Sequence, residues 1–474
     1  MQLVLTGQMD EYITNTPCIN YYKYVYKKHT NFSMESIEIA PRNNANKGFK
    51  EGTKMTYKIE RLADLLTKMY LSFMIPDIYS DNNMRFRWVE NLGFNYIKKV
   101  EFLIDGNKIE SLYGEWMNIW NELTNKDGIQ YNKLIGNVNE YIAPYSFQAK
   151  FTVKNNKLFN INYPVSSKTD IIQPSIKERE IQVPLDFWFT RNPSLALPLL
   201  KLANNEITVD VYTNDKGFEG LYKVWSDKLG MYVSSMFYKK LYGTKITIDN
   251  FTRTTNYDVR NKLHLTYVFL DTVERANILI DNNIIDYVID TVKFTQGDID
   301  NRTSLLTEIN NANNHIKEII WIIRRSDAID NFNDYTNYTA SASYMENMGI
   351  LDSATIFWTK DTIRAEYNAD YYNNIQPYYY HTNIPRTGIY CYSFSLFPEK
   401  NNTSGSYNNS KISTSIRLTT KSYNNDPVFN NIQNITKSIL GEIYEYDVTY
   451  KVSYFVREIN VLSVINGSAQ LKFS

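Results

Sequence analysis

An all-β chain of consecutive barrels or sandwiches is the architecture this sequence predicts, on three observations. Short segments with a side-chain period of two recur. Val100, Phe102 and Ile104 alternate with Lys99, Glu101 and Leu103, and Ile207, Val209 and Val211 alternate with Thr208 and Asp210. Turn dipeptides such as Asp105-Gly106 and Asn466-Gly467 separate such segments, because Asn, Asp and Gly tolerate the positive φ of tight hairpins. The connections are long and polar and carry the insertions, which suits strands joined across the ends of sheets. At 474 residues the chain has room for two or three domains, each with a full core.

Composition narrows the function. Lys+Arg and Asp+Glu number 51 each, so the chain lacks the basic surplus that wrapping nucleic acid requires. Two cysteines, Cys18 and Cys391, make neither a disulfide framework nor a metal cluster and read as thiols of a reducing compartment. The apolar run Leu3 to Leu5 is too short for a signal peptide. No apolar run approaches the ~18 residues of a membrane span.

Taken in order, residues 1–24 read as an extended arm or short helix, not a strand of the core. Phe32, Met34, Ile37 and Ile39 then fit a strand. Residues 62–75 fit two periods: Leu62, Leu65, Leu66, Met69 and Phe73 a helix, or Met69, Leu71, Phe73 and Ile75 a strand that Pro76 ends. Residues 92–123 organise the first half. A strand ends at Asp105-Gly106, and a helical face of Leu112, Trp116, Ile119, Trp120 and Leu123 follows, with Glu115, Asn118 and Glu122 turned to solvent. Those two carboxylates have no neighbouring His and do not form an acid–base pair.

Residues 125–180 read as loops and short hairpins, and residues 213–262, with Gly217, Gly220, Gly230 and Gly243, as an insertion. Asp271, Glu274 and Arg275, after LTYVFL, read as a polar turn, with nothing reactive beside them to make a catalytic carboxylate pair. Residues 316–323 are apolar on both faces, as in a strand covered on both sides. His315 and Glu318 supply two ligands, which is no metal site. In residues 443–456 Tyr444, Tyr446, Val448, Tyr450, Val452, Tyr454 and Val456 form one face. Glu445, Asp447, Thr449, Lys451 and Ser453 form the other, facing solvent or a neighbouring chain. Asn466-Gly467 predicts a hairpin of VLSVI with SAQLKF.

Catalytic and cofactor motifs are missing: the chain has no GxGxxG after a strand, no Walker-type loop, no HExxH and no GxSxG. His29, His264, His315 and His381 are scattered, and nothing points to a triad, although triads are not local in sequence. The expectation is no enzyme, no cofactor and no metal.

Several short motifs resemble those of the major capsid proteins of the nucleocytoplasmic large DNA viruses. They are Thr30-Asn31-Phe32 after a basic, aromatic segment, Gly106 before a helix bearing Trp116 and Trp120, and Leu197-Pro198 within LALPLL. Asp271, Glu274 and Arg275 match the D-T-x-E-R exit, Gly405 the second-half glycine motif, and Asn460, Leu462 and Gly467 the terminal motif. Lys201 to Asn205, Ile316 and Thr403 depart from the pattern.

The resemblance implies a double jelly roll: two consecutive eight-stranded jelly rolls with short helices in loops, at 25–273 and 276–474 after the 1–24 arm. It makes residues 62–75 a strand. It implies a structural role in pseudo-hexagonal homotrimeric capsomers that tile an icosahedral shell, with neighbouring capsomers and minor capsid proteins as partners. Assembly is expected in the host cytoplasm, around an internal membrane in some shells. Two alternatives stay open: a paralogous minor capsid or scaffold protein, and a carbohydrate-binding jelly roll using loop aromatics such as Tyr378, Tyr379 and Tyr380.

Overall fold

A computed structural model describes residues 32–43, 52–80, 84–125, 128–138, 152–154, 157–159, 174–253, 257–280, 284–299, 304–309, 312–359, 362–401, 404–410, 414–421, 427–440, 448–465 and 467–473. The 1–24 arm, Thr30 and Asn31 therefore lie outside the described residues.

The period-two segments pair antiparallel into two sets of facing sheets. In the first set, one sheet runs Phe32–Ile39, Lys262–Leu270, Leu65–Ile75, Leu197–Pro198, with Arg179–Pro184 also on Leu65–Ile75. Its partner runs Lys54–Ile59, Ile207–Thr213, Ile97–Ile104, Asn107–Tyr113. In the second set, one sheet runs Ile284–Ile299, Tyr450–Ile465, His315–Arg325, Ile389–Ser393, with Tyr407–Asn408 and Ser468–Leu471 attached. The other runs Ser304–Glu308, Ser415–Thr420, Leu351–Thr359, Thr362–Asn368. Each set is a jelly roll, its two sheets closing over side chains of alternate parity. Val209, for example, lies opposite Tyr57 on one side and Phe102 on the other, and all three are fully buried.

Residues 65–75 form a strand, not a helix, because Leu66, Leu71, Phe73 and Ile75 enter the core while the strand pairs on both sides. The Asp105-Gly106 turn is present, with φ of 51° and 76° at its two residues. The helical face differs from the expectation in its start. Leu112 belongs to the strand Asn107–Tyr113, and the helix is Gly114–Thr124. Gly114 permits this switch, since a Cβ there would meet the Ile97 carbonyl oxygen at 2.1 Å. Asn118 is buried, donating to Asn95 Oδ1 at 3.0 Å, instead of facing solvent.

The stretches read as loops carry regular structure. Residues 125–180 contain a helix, Gly128–Leu134, and a hairpin, Thr152–Lys154 with Lys157–Phe159. Residues 213–262 contain Tyr222–Ser226, which pairs with Phe86–Trp88 and Met231–Val233, and the helix Ser235–Tyr242 capped by Ser234. The exit at 271–275 is a helix, Thr272–Ile280, in place of a polar turn. Asp271 accepts from the Thr272 amide at 2.6 Å, and Arg275 pairs with Asp64 at 3.0 Å.

Two-sided burial also changes the last strand. Val452, Tyr454 and Val456 enter the second roll's core as their alternation predicts. On the other face Ser453 is buried too, and Phe455 packs on Trp116 and Phe294 at centroid distances of 5.6 and 5.2 Å. This strand is central in its sheet and lies against the first roll, so both faces are buried from Val452 to Glu458. The strand begins at Tyr450, and Val448 instead joins a third cluster with Leu229, Val233, Phe237 and Ile432. Residues 441–447 lie outside the described residues. Val452→Asp is expected to cost about 2–3 kcal/mol through a buried, unpaired carboxyl. Lys451→Asp, on an exposed site, is expected to cost under ~1 kcal/mol. Equal losses in thermal melts of the two variants would contradict this phase.

Candidate functional site: the seam between the rolls

One apolar cluster runs through both rolls: Phe102, Trp116 and Trp188 of the first share it with Ile320, Phe455 and Leu462 of the second. Where strands carry charges into this buried layer, each charge must find a partner, because an isolated ion there costs several kcal/mol. Glu110 leaves the first roll fully buried. It accepts from the Trp188 amide at 3.0 Å and from Arg191 at 3.1 Å, and Arg191 donates on to the Asp290 carbonyl at 3.1 Å. The Asp290 carboxylate accepts from Lys317 at 2.8 Å and from Arg457 at 3.1 Å. Arg457 also binds Glu318 at 2.8 Å and the Pro398 carbonyl at 2.5 Å, while its guanidinium lies 4.3 Å from the Trp120 ring centroid. Glu318 reaches His381 at 3.0 Å, and His381 reaches Glu399 at 3.2 Å.

The electrostatics follow from burial and pairing. Burial alone would raise the Glu318 carboxyl; His381 and Arg457 overcome it and hold it at about 2. Burial alone would lower His381; the Glu318 carboxylate reverses this and holds the imidazole charged well above its usual range. Glu110 goes the other way. Burial outweighs Arg191 and pushes it up to about 7. The folded chain thus keeps this proton up to about pH 7, whereas the unfolded chain releases it near its ordinary 4.5. Stability from this group therefore falls as pH rises from about 4.5 to 7 and is flat above. Glu110→Gln is expected to remove that slope, on the order of 3 kcal/mol, seen as a smaller difference between denaturation at pH 5 and pH 8 than in the parent.

A second row of pairs flanks the helix Gly114–Thr124. Glu115 pairs with Arg324 at 2.6 Å and Glu122 with Arg386 at 2.6 Å, so both carboxylates predicted to face solvent bind the second roll instead. Asn383 adds a bond from its amide to the Leu123 carbonyl at 2.9 Å. Among the described residues, no group of three or more His, Cys, Asp or Glu side chains could hold a metal ion, and no helix is long and apolar enough to cross a membrane.

The residues singled out in the sequence fall at dispersed structural positions. Phe32 opens an edge strand and is exposed. Gly106 makes the hairpin turn, and Leu197-Pro198 is a short strand on Leu66 and Leu65. Asp271, Glu274 and Arg275 lie at the start of the exit helix. Gly405 has φ of 124° in an irregular segment, and Gly467 has φ of 86° in the final hairpin turn. Asn460 donates to the Phe473 carbonyl at 2.5 Å. Trp116, Trp120, Leu197 and Leu462 belong to or pack on the cluster that runs through both rolls, and Gly467 lies against Asn204 and Lys201 of the first roll. Sequence reasoning missed Glu110, Arg191, Asp290, Lys317, Glu399 and Arg457, and it set Glu318 and His381 aside as half of an incomplete metal pair and a scattered histidine. The available signal was charge inside doubly apolar strands: Lys317-Glu318 in IKEIIWII and Arg457-Glu458 in YFVREINVL.

The seam is a layer of apolar contacts and paired charges, and comparisons with known proteins agree with a structural role. The model described as "Major capsid protein N-terminus" matches residues 20–271, and that described as "Large eukaryotic DNA virus major capsid protein" matches residues 274–470. The major capsid protein of Phaeocystis pouchetii virus is 27% identical, over 87% of this chain and 90% of its own. That of Pyramimonas orientalis virus is 29% identical, over 87% and 89%. Among solved structures, the protein in a quasi-atomic model of the PBCV-1 virus capsid superposes with a TM-score of 0.68 at 21% identity, covering 96% of this chain and 100% of its own, a likeness of fold. With one family model on each roll, the chain belongs to the major capsid proteins of the large eukaryotic DNA viruses, a double jelly-roll structural component of the virion shell.

Proposed function

We propose that three copies of this chain associate as a pseudo-hexagonal homotrimer, and that these capsomers tile an icosahedral shell. The supporting observation is apolar surface left uncovered on the edge strands of both rolls. Phe32 and Met34, on the edge strand of the first, are 53% and 62% exposed. Trp358 and, on the adjoining edge strand, Ile363 and Tyr367 are 41%, 54% and 47% exposed. Edge strands that carry apolar side chains invite pairing or coverage by another chain, and the formal net charge of zero puts little repulsion in the way.

On this reading, residues 1–24 are an arm, 25–273 and 276–474 are the two building blocks, and the fingerprint residues Thr30 to Gly467 act through turns and packing without chemistry. Neighbouring capsomers and minor capsid proteins are the partners, nucleic acid is not contacted directly, and assembly occurs in the host cytoplasm around an internal membrane where one is present. Mass photometry of the purified chain is expected to give a species near three times 55.6 kDa. A strictly monomeric protein at micromolar concentration would overturn the trimer.

A further inference from the structure

Beside the seam, and separate from its ion network, a pocket of about 290 Å³ opens in the first roll. It lies between the helix Gly114–Thr124, Tyr131 of the helix Gly128–Leu134, and the segment Pro184 to Asp186. Its walls are mainly apolar, from Leu112, Trp116, Met117, Trp120 and Tyr131. The polar groups there are mostly occupied. Thr124 donates to the Trp120 carbonyl at 2.7 Å, and Asn125 donates to Asn121 at 2.9 Å.

Asp186 is the exception. Its carboxylate makes no hydrogen bond or ion pair among the described residues, and none of the described residues lining the pocket carries a cationic side chain. Arg191, the charge that acts on it, is already engaged with Glu110 and the Asp290 carbonyl. Burial pushes the Asp186 carboxyl up, and Arg191 only partly offsets this. A carboxyl at an apolar cavity keeps its charge best beside a counter-ion, and these walls suit one with an apolar body. A divalent metal is a poor match, since it takes six or more oxygen ligands at Ca²⁺ or Mg²⁺ sites and this cavity presents mostly carbon.

We infer that this pocket binds an alkylammonium group, its methylene stem against Trp116, Met117 and Tyr131 and its charged head on the Asp186 carboxylate. A lysine side chain has this form, with a long apolar stem that packs while the head stays paired. A free polyamine has it too, and the volume suits one such chain.

The test is calorimetric titration of the purified full-length chain with cadaverine, with acetyl-lysine amide, and with pentanol as the uncharged control. Saturable amine binding is expected, with pentanol at least about tenfold weaker. Asp186→Asn is expected to lose that preference with its thermal melt unchanged. Asn125→Arg, which places the chain's own guanidinium at the pocket and leaves Asp186 in place, is expected to abolish amine binding. Tighter binding of the lysine amide would identify a neighbouring polypeptide as the source, and tighter binding of cadaverine a free polyamine. Pentanol binding as well as the amines, undiminished amine affinity in Asp186→Asn, or no saturable binding would overturn the inference.

Discussion

Arg457→Met is expected to destabilise the chain by about 3–5 kcal/mol, as removal of one partner from a buried ion pair does. Three features set the size. Arg457 is fully buried, so its loss is not softened by solvent. Its guanidinium serves Glu318 at 2.8 Å and Asp290 at 3.1 Å together, and both are buried with it. It also covers the Trp120 ring of the first roll at 4.3 Å, so the same change weakens the contact between rolls. Lys317 and His381 remain to pair with the two carboxylates, which keeps the loss finite. Arg457→Lys is expected to recover part of the loss, since an ammonium keeps the charge but lacks the planar fork that spans two carboxylates. Urea denaturation of the three proteins checks the order parent, Lys, Met. A Met variant as stable as the parent would show that the network contributes nothing net.

Trp116→Ala is expected to cost about 3–5 kcal/mol, the range for deleting a large buried aromatic. Trp116 is 3% exposed, stacks on Trp120 at 5.1 Å and packs on Phe455 of the second roll at 5.6 Å. The cavity would therefore open at the seam, and the surrounding sheets, paired on both sides, have little freedom to collapse into it. Trp116→Phe keeps a ring and is expected to lose less. A Trp116→Ala variant that melts with the parent would mean the seam does not depend on this side chain.

Period and turn chemistry by themselves determined where most strands lie and how they face. Val100, Phe102 and Ile104 point inward because alternation on a pleated strand leaves no other way to bury them, and Val452, Tyr454 and Val456 do so for the same reason. Asp105-Gly106 made its hairpin because the positive φ it needs is a local property of those residues. Family motifs turned residues 62–75 from an ambiguous period into a strand, which local pattern could not decide.

Tertiary structure decided what lies opposite each face. Glu115, Asn118 and Glu122 looked solvent-facing because polarity on a helix normally marks the wet side. Here a second roll covers that side and supplies Arg324 and Arg386. Ser453 and Phe455 face inward because their strand sits between two cores, which no period of two can reveal. The seam itself joins Glu110, Arg191, Asp290, Lys317, Glu318, His381 and Arg457 from segments far apart in the chain. A charge in an apolar strand announces that a partner must exist, but only the packing of one roll on the other determines which charge that partner is, since pairing energy depends on distance and burial and neither is encoded locally.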